Sequence, residues 1–304
     1  MRLRPLILLS SALALVAAGC GGGGGTDAIA ADGSSTVGPY VTAAAEGFRK
    51  EAGVDVTVGI SGTGGGFERF CRGETDLSNA SRPISDEERE TCKESRVGFV
   101  ELPVANDALT VVLNRDNDWA TCLTVEELKT IWEPSSTVKS WQDVRAEFPD
   151  EPIALFGAGT DSGTFDYFTD VIVGEEGASR TDYSPSEDDN VTVQGVAGTK
   201  GGLGYFGFSY FEDNQETLKA LEVDGGSGCV APSVASAQAG DYVPLSRPLF
   251  VYVKTTSLER PEVADFLAYM LDNETAIAEQ ARFVPLNDEQ LAKAKADLAA
   301  ATGA

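Results

Sequence analysis

Along this 304-residue chain, short apolar runs rich in branched side chains alternate with stretches whose apolar residues recur every three or four positions. The runs 54–60, 108–113, 153–156 and 249–253 read as strands, and a short one at 75–78 reads the same way. Residues 41–50 and 125–132 read as helices with one apolar face. Strands and helices alternating in this order predict an α/β fold. From Pro261 to the end the pattern is almost wholly helical. Pro261 stands where a first-turn proline is tolerated, and Leu267, Met270 and Leu271 can share a face. Trp132, Trp141, Tyr205 and Phe206 are expected in packing rather than at a site. The longest polar stretch, 182–190, reads as a solvated acidic surface loop.

The first 19 residues have a different character. Arg2 and Arg4 precede an apolar run, 6–18, that is too short to span a bilayer, the pattern of an export signal. Ala17-Ala18-Gly19-Cys20 is similar to a bacterial lipoprotein cleavage site, with Cys20 as the lipid-modified first residue. Ala17 departs from the branched residue usual there, so ordinary signal cleavage stands as the alternative. The five glycines after Cys20 make 20–26 a flexible tether, and the folded part is expected to begin near Asp27. Four further cysteines in an exported chain suggest two disulfides. Three pairings exist. Cys71 with Cys92 and Cys122 with Cys229 is favoured, since the first two are close in sequence and the last two fall in one expected lobe; free buried thiols are the alternative.

Composition narrows the function. The net charge of −25 becomes more negative by two if Arg2 and Arg4 leave with the signal, which disfavours nucleic acid as a partner. The same field repels anions, so an anion site would rest on short-range dipoles and a local arginine. The chain has no histidine. That removes the usual general base, the usual neutral zinc ligand and the Ser-His-Asp triad, and no metal or cofactor is expected.

Three times a strand-like segment runs through a Gly/Ser/Thr-rich turn into a helix: at Gly33-Ser34-Ser35-Thr36, at Gly62-Thr63-Gly64-Gly65-Gly66 and at Thr160-Asp161-Ser162-Gly163-Thr164. A helix start carries unpartnered N–H groups and partial positive charge, and glycines let an anion come close. One such turn is ordinarily a helix cap. Three together could surround a tetrahedral oxyanion. Asn79-Ala80-Ser81-Arg82-Pro83 adds a guanidinium, whose planar fork suits two phosphate oxygens.

The motifs GSSTVGPY, GISGTGGGFERFCRGETDLSNASRPIS and FGAGTDSGTFDYF resemble the PstS family, the phosphate-binding proteins of ABC phosphate importers, and the resemblance extends over nearly all of the chain after the tether. It implies a type II periplasmic binding protein with two α/β lobes joined by a two-strand hinge. Residues 27–104 plus 245–304 would form one lobe and 105–244 the other. It also implies phosphate held at Thr36, the Val37 backbone, Thr63, Ser162, Gly163 and Thr164 together with an Arg and an Asp; Ser35 and Ser81 are further candidates in the same motifs, and Arg82 and Asp161 are the candidates for the charged pair where this chain departs from the family. Two departures matter: a serine, Ser81, stands where an acidic residue is expected, and an arginine is missing near Ala158. Hydrogen phosphate carries a proton that must meet an acceptor and sulfate carries none, so an inward carboxylate decides selectivity. The implied partners are inorganic phosphate, a membrane permease and, through Cys20, the outer face of the cytoplasmic membrane; a monomer is implied as well. Other readings are a binding protein for sulfate, molybdate or a phosphate-bearing molecule, a lipoprotein of adhesion or signalling, and a secreted hydrolase. The last would need a base such as Lys200 for Ser162.

Overall fold

The computed structural model describes residues 28–160 and 162–303. The export signal, Cys20, the tether and Asp161 lie outside the described residues. Twelve strands follow in chain order: β1 (Ile29–Gly33), β2 (Val56–Val58), β3 (Leu77–Ala80), β4 (Phe99–Asn114), β5 (Cys122–Thr124), β6 (Ala154–Ala158), β7 (Ser184–Ser186), β8 (Gly202–Gly207), β9 (Leu218–Ala220), β10 (Glu222–Asp224), β11 (Cys229–Val230) and β12 (Ser246–Lys254). The helices are α1 (Gly38–Ala52), α2 (Gly62–Cys71), α3 (Asp86–Glu94), α4 (Val125–Trp132), α5 (Trp141–Val144), α6 (Gly163–Phe168), α7 (Asp189–Gly198), α8 (Phe208–Asp213), α9 (Val234–Ala239), α10 (Pro261–Asp272), α11 (Glu274–Gln280) and α12 (Asp288–Thr302). A π-helical turn, Thr169–Val173, prolongs α6.

The main sheet runs β2-β1-β3-β12-β4-β8-β6-β7, with β9 also paired to β4. Its two ends are parallel, β2-β1-β3 and β8-β6-β7, whereas β12 and β4 run antiparallel to each other and to their outer neighbours β3 and β8. Two separate apolar cores flank this centre. One gathers Tyr40, Phe48, Leu77, Phe266 and Met270; the other gathers Trp132, Trp141, Phe168 and Tyr205. β4 serves both, with Leu102 and Val104 in the first and Leu109, Val111 and Leu113 in the second. Leu245, just before β12, belongs to the second core, while Leu249, Val251 and Val253 belong to the first.

The strand reading of 108–113 caught only the end of β4. Pro103, Asn106 and Asp107 interrupt the apolar pattern in its first half, yet the strand continues through them because each finds a place. Pro103 pairs with Phe250 at a bulge, and Asn106 bridges to Val284 and bonds the Pro285 carbonyl and Gln290. The expected strands 54–60 and 75–78 are displaced as well: only Val56–Val58 pairs, and β3 begins at Leu77. Residues 182–190 are more than a loop, since Ser184–Ser186 extends the sheet beside β6 and Asp188 caps α7. The C-terminal region splits into three helices, and the break at 281–287 carries the bridge to β4.

Cys71 is disulfide-bonded to Cys92, joining α2 to α3, and Cys122 to Cys229, joining β5 to β11. Among the described residues no helix is long and apolar enough to cross a membrane.

Candidate functional site

The parallel strands β1, β2 and β6 deliver their chains into helices, so the three turns sit at strand C-terminal ends, where open α/β sheets bind ligands. At the first turn the chain leaves β1 through Gly33, whose φ is +140°. A Cβ there would stand 2.2 Å from the Asn79 carbonyl oxygen, so only glycine fits against β3. Ser34 then closes the start of α1: its carbonyl accepts from the Gly38 N–H (3.0 Å) and its Oγ from the Thr36 and Val37 N–H groups (3.2 and 3.4 Å).

The second turn is held from below by Asp32, which is buried. Its carboxylate accepts from the Gly33 N–H (2.7 Å), the Ser61 hydroxyl (2.9 Å) and the Arg69 guanidinium. Ser61 is thereby fixed ahead of Gly62, Thr63 and Gly64, the first turn of α2. Thr63 Oγ1 accepts from the Ser81 N–H (3.2 Å) and lies 3.1 Å from the Ser81 hydroxyl, which ties this turn to the end of β3.

In the third turn Ser162 caps α6, its Oγ accepting from the Thr164 N–H at 3.1 Å. A Cβ on Gly163 would stand 3.2 Å from Thr36 Oγ1 and 3.5 Å from Ser35 Oγ. The first and third turns therefore face each other almost in contact, and glycine keeps the gap open.

Between the turns is a cleft of about 300 Å³ lined by Ser35, Thr36, Thr63, Ser81, Arg82 and Gly163. An adjoining cavity of about 290 Å³ shares Ser35, Thr36 and Gly163 and adds Ser162, Thr164 and Asp107. Eight of the ten residues singled out in the sequence thus meet at one place. The Val37 side chain is fully buried and lines neither space, and Asp161 lies outside the described residues.

Arg82 is at the wall, but its fork is already engaged. Both terminal nitrogens donate to Glu88 at 2.8 Å, the residue that also closes the capping box of α3 with Ser85. The Glu88 carboxylate raises the Arg82 pKa further.

A second guanidinium, absent from the sequence reading, stands at the centre. Arg247, on β12, donates from Nε to Asp107 Oδ2 (3.2 Å) and from Nη2 to Thr36 Oγ1 (3.2 Å), and it lies over the Tyr167 ring with 3.5 Å between Cζ and the ring centroid. Its Nη1 makes no hydrogen bond among the described residues. Asp107, on β4, is buried; burial raises its pKa, and Arg247 counters the rise. Asp166, one turn into α6, also lines the cleft; burial raises its carboxyl, Arg247 again opposes, and the carboxylate has no hydrogen-bond partner among the described residues. The signal for Arg247 and Asp107 was their position: each is a charge just ahead of the apolar run of its strand, where burial demands a partner.

The sequence matches the PBP superfamily domain over residues 21–274. It is 50% identical over 268 residues to the protein SphX of a Synechocystis species, a match covering 87% of this chain and 80% of the relative. It is 39% identical over 282 residues to the phosphate-binding protein PstS of Staphylococcus saprophyticus, covering 90% and 86%. This chain belongs to the PstS family of the PBP superfamily. The fold agrees: the crystal structure of a possible phosphate-binding protein from Planctomyces limnophilus superposes with a TM-score of 0.86 at 45% identity, covering 91% of this chain and 99% of that one. PstS proteins are substrate-binding proteins, not enzymes, and the hydrolase reading falls with that membership. In this PstS-family chain Ser162 is a helix cap, and Lys200 lies over the Trp119 ring (5.6 Å), away from the cleft-lining residues.

Proposed function

We propose that this chain binds inorganic phosphate outside the cytoplasmic membrane and delivers it to an ABC-type importer. The observation that carries the reading is the convergence on one cleft of three helix-start turns and the Arg247 guanidinium, which is paired on only one edge. Hydroxyls of Ser35, Thr36, Thr63, Ser81 and Thr164 supply hydrogen bonds, the starts of α1, α2 and α6 add amide dipoles, and Arg247 supplies the charge that a strongly acidic chain otherwise lacks. Arg82 would join only by leaving Glu88. The proton of hydrogen phosphate is accepted by Asp166, which lines the cleft, or by Asp161.

The lobes are 27–104 plus 245–304 and 105–244, with β4 and β12 as the hinge on which they close. The chain is exported, anchored by lipid on Cys20, and acts as a monomer with a membrane permease as partner.

Calorimetric titration of the chain without its export signal, first cleared of carried-over ligand by partial unfolding, tests this reading. Micromolar or tighter binding needs about 8 kcal/mol, within reach of charge-assisted bonds worth about 1.5–3 kcal/mol each. Phosphate binding that sulfate cannot displace supports the reading; equal affinity for sulfate, or none for phosphate, moves the ligand to another oxyanion. Metabolic labelling with palmitate, lost in Cys20→Ala, tests the anchor.

A further inference from the structure

We propose that Tyr167 is the positioning residue of this site: it holds the Arg247 guanidinium flat against the cleft so that one edge meets Asp107 and the other is presented to the anion. The proposal rests on the phosphate reading and adds a residue to it.

Three observations converge on Tyr167. Its ring face lies under the guanidinium at 3.5 Å, the distance of direct stacking. The ring itself is fixed, because it is buried and its hydroxyl donates to the Pro244 carbonyl at 2.7 Å, three residues before Arg247 in the chain. Tyr167 belongs to α6, whose start carries Ser162, Gly163 and Thr164, while Arg247 and Asp107 belong to the two central strands and Thr36 to the start of α1. The stack therefore joins the third turn to the strands, and the guanidinium joins the strands to the first turn.

The chemistry explains why an aromatic ring suits this place. Arg247 needs support on its flat face, yet a second carboxylate there would cancel the charge that the anion must feel. A ring holds the plane through its quadrupole and leaves the net charge intact. With Asp107 on the Nε edge and the ring beneath, the remaining N–H groups are left for Thr36 and for ligand. An arginine without the ring would sample other rotamers and lose part of its fork on ordering.

The test compares Tyr167→Phe and Tyr167→Leu in the otherwise intact chain by phosphate calorimetry, each also combined with Arg247→Lys. Tyr167→Phe keeps the ring and is expected to stay within about threefold of the unsubstituted protein, whereas Tyr167→Leu is expected to weaken phosphate about tenfold or more. In the Arg247→Lys background, Tyr167→Leu is expected to cost nothing further, since the residue acts through the guanidinium plane. Equal losses from Leu in both backgrounds, or a Phe variant as weak as Leu, would overturn the assignment. Crystal structures of the Phe and Leu variants decide the same point without any ligand: a guanidinium still within hydrogen-bonding distance of Thr36 and Asp107 in the Leu variant defeats the proposal. An unsubstituted protein that bound no phosphate would instead defeat the reading of the site.

Discussion

Arg247 meets the two demands that an anion site makes on a cation, a partner to hold it and an edge left free. Replacing it with lysine keeps the charge and removes the planar fork, so Arg247→Lys is expected to weaken phosphate binding about tenfold or more, read by calorimetry. Arg247→Ala would add a structural loss of about 3–5 kcal/mol, because Asp107 would be left buried and unpaired. Arg82→Ala is expected to change affinity far less, by under about threefold, since its fork is spent on Glu88 in this structure. A tenfold loss there would show that Arg82 leaves Glu88 when the ligand enters. Asp166→Asn is expected to narrow the ratio of phosphate to sulfate affinity, measured by competition, because the amide can donate to sulfate where the carboxylate repels it. An unchanged ratio would pass the acceptor role to Asp161.

The turns depend on what lies beneath them. Asp32 links Gly33, Ser61 and Arg69, and through them the starts of α1 and α2 keep their spacing. The start of α7 shows the opposite electrostatics. Burial lifts the Asp189 carboxyl to about 6, and neighbouring Asp188 and Glu187 add to the rise, outweighing the helix dipole that favours acids at this end. The folded form thus holds this proton more tightly than the unfolded chain. The stability that this one group contributes is fully present below the ordinary aspartate range and is lost as pH rises through about 6, by at most about 3 kcal/mol before solvent screening. Asp189→Asn should therefore stabilise the protein at pH 7 and leave it unchanged near pH 4, measured as urea midpoints at both values.

At the scale of the whole molecule, β4 contributes to both cores and β12, which follows Leu245 of the second core, packs into the first; the two strands carry Asp107 and Arg247 where the cores part. Closure on ligand should therefore reduce the radius of gyration in small-angle scattering when phosphate is added. The same change should be absent in Arg247→Ala. The disulfides act on the unfolded chain: Cys122–Cys229 closes a loop of 107 residues and Cys71–Cys92 one of 21. By loop entropy these are worth about 4–5 and about 3 kcal/mol. Paired serine substitutions followed by urea denaturation should show the larger loss for the longer loop.

What the sequence settled by itself was local. Helix starts, caps and glycine turns are written in runs of a few residues, so the α/β class, the three turns and the helix Val125–Trp132 were legible there. So was the family, because its motifs are long and contiguous. The charged centre was not legible. Asp107 and Arg247 lie 140 positions apart, and each taken alone only spoils an apolar strand pattern. Tyr167 reads as one more aromatic among buried ones. Arg82 sits inside a conspicuous motif, yet a glutamate six residues on takes its fork. Which of two arginines keeps a free edge for an anion depends on which carboxylates pack against each of them. That packing was decided only when the two central strands came together in antiparallel register.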